Sequence, residues 1–289
     1  MGIRQTIVGY LQDKLALNAR NWNFLAVNVA RASRHSRLAR HPPFKRPFLR
    51  LLKVSDPERH RTQGWVVPID QGLRFERDMQ NVILPIDLVK KAIRESTCRV
   101  IMNKCICRTG QRCKDYPIDF GCIFIGEGSR ATVRRGVARE ATIEEALGHL
   151  DRAAALGLIC QCLWVEAERL PLGIHEKDHH KFMEICLCCP CCCLGFRNFS
   201  HMPDELVQRF QSIGWTASEA TGCGMCGACI EVCPVNARGI GGDKVLVSGA
   251  CLGCGICAAT CPQQTITMQP RGATKERLQD YFSGLNLEI

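Results

Sequence analysis

Apolar residues near the start of the chain recur as Ile3, Ile7, Leu11, Leu15, Trp22, Leu25 and Val29, at spacings of three, four and seven. That stripe predicts an amphipathic helix over residues 3 to 29. Arg31 to Arg50 follows with dense positive charge and closes on Pro42, Pro43 and Pro47, where a helix is expected to stop. Two short apolar pieces, Trp65 to Ile69 and Val82 to Leu84, lie among turn residues. Asp87 to Ser96, after Pro85, predicts a helix, and Arg99 to Met102 a short strand. Thr142-Ile-Glu-Glu145 is a capping box that starts a helix of alanines and leucines, and Gly157 ends it. Further along, Pro203 to Gly214 predicts a linking helix, Asp243 to Ser248 and Gln264 to Met268 predict strands, and Thr274 to Phe282 predicts a closing helix.

Charge changes this picture at one end. Residues 1 to 54 hold eleven Lys and Arg against Asp13 alone, a net +10 that equals the net charge of all 289 residues. The rest of the chain is therefore balanced. The basic segment fits a docking arm for an acidic partner protein or an anionic membrane surface; nucleic acid and an organelle transit peptide are weaker readings. The alternative is a core helix with a solvated basic face. No run of 18 apolar residues exists, which excludes a spanning helix, and no secretory signal is evident, so a cytoplasmic setting is expected, with the inner membrane face as a second location.

Cysteine decides the chemistry. The chain has 21, too many for ordinary packing, and a reducing compartment favours metal ligation over disulfides. Cys223, Cys226, Cys229 and Cys233-Pro234 form one run, and Cys251, Cys254, Cys257 and Cys261-Pro262 repeat it 28 residues later. Tetrahedral zinc uses paired Cys-x2-Cys, but has no use for the third cysteine and the Cys-Pro that follows. Gly224, Gly227, Gly253 and Gly255 free the backbone to approach a cluster, and each proline stands where a first helical residue needs no N–H.

This segment, about residues 220 to 270, resembles the bacterial two-cluster ferredoxins. The resemblance implies two [4Fe-4S] clusters with exchanged fourth ligands. One would take Cys223, Cys226, Cys229 and Cys261, the other Cys251, Cys254, Cys257 and Cys233.

Two more groups flank the capped helix. Cys105, Cys107, Cys113 and Cys122 have the count for a further [4Fe-4S] site, with Lys104, Arg108, Arg112 and Lys114 beside it to offset thiolate charge. Zinc and free thiols are the competing readings. Cys186, Cys188, Cys189, Cys191, Cys192 and Cys193 put six cysteines into eight residues. Neighbouring side chains diverge, so one metal cannot take all six, and either several ligand sets or a site drawing on both groups is implied. Cys98, Cys160 and Cys162 are the expected spares. His175, His179 and His180 fit a solvated loop better than a ligand set. No phosphate-binding or dinucleotide glycine loop is present.

From residue 98 to 270 the order of motifs resembles a broad family of 4Fe-4S binding proteins from anaerobic bacteria and archaea. The expected fold is α+β: a basic helical arm (1–54), a mostly helical Cys-rich middle module (55–200), a linking helix (201–219) and a ferredoxin domain with a C-terminal helix (220–289). The expected function is electron transfer to or from a larger oxidoreductase, with one or two extra [4Fe-4S] clusters in the middle module. The alternative is a reductase with its active site in that module, supplied with electrons by the ferredoxin domain.

Overall fold

The computed structural model describes residues 16–52, 54, 62–69, 72–76, 85–175, 178 and 181–271. Ile3 to Leu15, Val82 to Leu84, His179, His180 and the expected helix Thr274 to Phe282 lie outside the described residues.

In chain order the helices are α1 (Trp22–Ser33), α2 (Pro42–Leu51), α3 (Pro85–Glu95), α4 (Ile106–Gln111), α5 (Arg130–Arg134), α6 (Ile143–Ala155), α7 (Glu166–Leu172), α8 (Leu194–Phe199), α9 (Asp204–Val207), α10 (Ala228–Glu231) and α11 (Ile256–Thr260). The strands are β1 (Gln63–Val67), β2 (Arg99–Met102), β3 (Ile123–Ile125), β4 (Ala138–Glu140), β5 (Ile159–Trp164), β6 (Met183–Cys188), β7 (Phe210–Ser212), β8 (Trp215–Ala217), β9 (Arg238–Gly241), β10 (Lys244–Val247) and β11 (Met268–Pro270). A seven-stranded sheet runs β4-β2-β3-β6-β5-β1-β7, and two-stranded sheets join β10 to β9 and β11 to β8. The chain is thus α+β. Every pair in the large sheet is antiparallel except β1 with β7.

The sheet corrects the expectation of a mostly helical middle module. Its strands are only three to six residues long, and several are apolar on both faces, so no period-two alternation marks them in sequence. Alternation nevertheless sorts the side chains. Ile101, Ile123 and Ile125 face a core shared with Val89 and Ile93 of α3 and Ala146, Leu150 and Ala153 of α6. Val100 and Phe124, partners across β2 and β3, face the opposite way into a cluster with Leu17, Trp22 and Phe182.

Capping of α6 is as expected: the Thr142 hydroxyl accepts from the Glu145 N–H and the Glu145 carboxylate accepts from the Thr142 N–H. β2 matches its expected bounds. Four other expectations are corrected. The N-terminal stripe is broken before α1, where Asn18 and Asn21 bond the backbone of residues 16 to 21 in a helix's place. Pro42 and Pro43 open α2 at positions that need no N–H, and Pro47 lies inside it. Residues 203 to 214 make only the short α9 and then β7, because pairing with β1 captures Phe210 to Ser212. In the last sheet, Gln264 to Thr267 stay outside the strand, which begins at Met268.

The described part of the basic segment, residues 16 to 52, lies on the body of the protein. Trp22, Ala26 and Ala30 are buried, and Trp22 Nε1 donates to Thr109 Oγ1 of α4 at 3.1 Å. Arg20, Arg31, Arg34, Arg37, Arg40, Arg46 and Arg50 point outward. No helix among the described residues is long and apolar enough to cross a membrane.

Candidate metal centres

Cys113 leaves α4 just after the left-handed turn at Arg112, and the sheet brings it against the loop that follows β6. There Cys113, Cys189, Cys191 and Cys192 have all their sulfurs within 4.8 Å of one another. Two of the separations are 3.7 Å, Cys113 to Cys191, and 3.5 Å, Cys191 to Cys192. Metal–sulfur bonds of about 2.3 Å at tetrahedral angles put thiolates about 3.8 Å apart. This group of cysteines can therefore bind a metal ion. Its two exposed-side members behave differently as thiols. Burial pushes Cys191 up; burial opposes ionisation of Cys113 too, but hydrogen bonds from Cys192 and from the backbone near Tyr116 outweigh it and hold that thiol down.

The loop carrying Cys113 is held from beneath. His149 of α6 stacks on Phe120, with ring centroids 3.9 Å apart, and its Nε2 donates to the Gly121 carbonyl at 2.9 Å. Burial lowers its basicity, so the ring is neutral and serves as a peg.

Of the four cysteines expected as one upstream site, only Cys113 joins this quartet. Cys105 and Cys107 lie side by side at the start of α4, and Cys122 donates to Cys186 at 3.4 Å. The reason is topological: the segment between antiparallel β2 and β3 carries all four, and Cys113 packs against the main core whereas Cys122 packs against the cluster on the opposite face. Cys160 and Cys162 are fully buried in the main core, and Cys98 accepts from Ser129 Oγ at 3.4 Å. His175 lies in the loop after α7.

In the duplicated segment the same residue type is arranged with space between. Gly227 at φ +79° and Gly255 at φ +81° cap α10 and α11 in matching left-handed turns, so the repeat in sequence is a repeat in backbone. A cavity is lined by Cys223, Cys226, Cys229 and, from the second run, Cys261, with Met225 and Ile266 beside them. Burial drives the Cys254 thiol up, and Cys257, Cys251 and Cys233 add to the effect, which sets Cys233 near the second run.

Two buried arginines test whether these cysteines fit metal. Arg108 is fully buried; its guanidinium donates to the carbonyls of Leu187 (3.0 Å) and Phe120, and Nε has no partner. Burial works against its charge, and Cys105, Cys122 and Cys189 more than offset that. Arg238 is buried as well, donating to the Ser218 carbonyl at 3.0 Å and to Cys257 Sγ at 3.8 Å, with Nε and Nη2 unpartnered. Among the described residues neither forms an ion pair with a carboxylate. A buried cation without a counter-charge costs several kcal/mol, and neutral thiols do not repay it. Metal-bound thiolates do, since four on a divalent ion carry a net charge of about −2. Lys104, Arg112 and Lys114, expected in the same role as Arg108, are exposed.

Comparison with protein-family models, with curated proteins and with solved structures finds no match for the chain.

Proposed function

We propose that the chain is an iron–sulfur electron-transfer protein of the 4Fe-4S binding family met in anaerobic bacteria and archaea, with a two-cluster ferredoxin segment at its C-terminal end. Cys223, Cys226, Cys229 and Cys261 would hold one [4Fe-4S] cluster, and Cys251, Cys254, Cys257 and Cys233 the other. The observation that carries this reading is the cavity whose lining takes three cysteines from the first run and Cys261 from the second. The buried charge of Arg238 beside Cys257 supports it independently. Such clusters supply one-electron transfer when bound. The chain's own part is to space the thiolates, exclude water around them and set the local charge, through which Arg238 would raise the potential of the second set.

Cys113, Cys189, Cys191 and Cys192 add a further metal centre in the middle module. Their spacing suits one tetrahedral ion, zinc or iron. Electrons would pass to a larger cytoplasmic oxidoreductase, and the outward row of arginines in residues 20 to 50 offers an acidic partner a surface to meet. Protein purified without oxygen is expected to carry about eight irons and about eight acid-labile sulfides in the C-terminal segment, with an electron paramagnetic resonance signal on reduction. A colourless protein, or one holding zinc throughout, overturns the reading.

A further inference from the structure

A second line of thiols lies apart from the quartet. In the pairing of β5 with β6, Cys186 stands opposite Gln161 and Cys188 opposite Ile159, whereas Leu187 and Ile185 stand opposite Cys160 and Cys162. Partners across antiparallel strands share a face. Cys160 and Cys162 therefore sit in the main core, and Cys186 and Cys188 project from the other side of the sheet, where Cys193 joins them. Cys188 lies beside Cys186 and Cys193, Cys107 lies beside Cys193, and Cys122 donates to Cys186 at 3.4 Å, so these thiols form one row.

Gln161 shows what this row is built for. It is 5% exposed, and its Nε2 lies 3.1 Å from Cys188 Sγ and 3.8 Å from Cys193 Sγ. A neutral thiol is a weak acceptor for a buried amide, and a thiolate is a strong one. N–H groups aimed at sulfur are also what tunes metal-bound thiolates. The row is too extended for one ion: among the described residues, no three of its sulfurs lie within 4.8 Å of one another. A cluster with several irons takes thiolates that stand too far apart for one ion, because each binds a different iron. The same apolar cluster contains Leu252, Ile256 and Cys254 of the duplicated segment.

We propose that Cys107, Cys186, Cys188 and Cys193 form a third iron–sulfur site, with Gln161 as its N–H donor, adjoining the set of Cys251, Cys254, Cys257 and Cys233. This rests on the iron–sulfur reading of the C-terminal segment and extends its electron path into the middle module.

The test uses the full chain purified without oxygen, Cys188→Ala/Cys193→Ala, and Gln161→Leu. The parent is expected to hold about four irons and about four sulfides beyond the eight of the duplicated segment. The double variant loses those and keeps the rest, while Gln161→Leu keeps every iron and shifts one cluster to lower potential. Equal iron and sulfide in parent and double variant overturns the third site and leaves the C-terminal reading standing. No iron in the parent overturns both. Should the double variant fail to fold, Gln161→Leu decides, and a redox titration unchanged from the parent's counts against the site.

Discussion

In the duplicated segment, Cys223, Cys226 and Cys229 lie on one turn that enters α10, and the chain leaves a cavity between them and Cys261. In the middle module, Cys113 and the loop after β6 press four sulfurs together within 4.8 Å. The first arrangement has room for inorganic atoms among the thiols; the second has room for one ion. Each region also buries an arginine with no carboxylate partner among the described residues, Arg238 in one and Arg108 in the other. The electrostatic demand is shared, and the spacing of the sulfurs differs. Residue type thus makes both regions able to bind metal, while the spacing of the sulfurs bears on how many atoms of it would fit.

The comparison can be broken most forcefully at the quartet. Cys113→Ser/Cys191→Ser should release one metal ion per chain and lower the melting temperature by more than about 10 °C, since structural metals contribute on the order of 10 kcal/mol to folding. Elemental analysis and a thermal scan check this, and the iron and sulfide of the duplicated segment should not change. A smaller effect is expected from Arg108→Met, which removes the counter-charge and keeps most of the volume. Metal should leave the quartet about 10-fold faster in the presence of a chelator. An unaltered release rate would mean that the thiols beside Arg108 are not metal-bound.

The smallest effect concerns Glu184, which is buried on β6 next to Cys186. Burial, and then Glu168, raise its carboxyl well above the ordinary range. Such a group stabilises the fold fully below its unfolded value, near 4.3, and loses that contribution as pH rises through the folded value. Glu184→Gln escapes the loss. Its melting temperature should exceed the parent's at pH 8 and approach it toward pH 5, because each tenfold gain in proton affinity on folding is worth about 1.4 kcal/mol. Identical pH profiles would show that Glu184 is not held neutral.

Legibility in the sequence followed locality. The capping box at Thr142 and Glu145, the strand Arg99–Met102 and the twin runs from Cys223 to Cys261 all express themselves within a few residues, and all were readable. The quartet joins residues 78 positions apart, Cys113 and Cys191, through a sheet whose strands carry no alternating pattern, so no spacing rule reaches it. That a site could draw on both cysteine groups followed from crowding alone; which cysteines it takes depends on the β3 to β6 register. Period-two logic along β6 separates Cys186 and Cys188 from the rest only once the strand itself is known. Arg108 was legible as a charge beside cysteines, and its burial was not, because the three neighbouring cations are exposed.

The most direct test of the central claim is Cys261→Ala in otherwise complete protein, with iron counted and the reduced form examined by electron paramagnetic resonance. Exchanged fourth ligands predict that about four irons are lost from the set led by Cys223, although Cys261 belongs to the other run, while the set led by Cys251 keeps its signal. Full retention of iron, or loss confined to the Cys251 set, would contradict it.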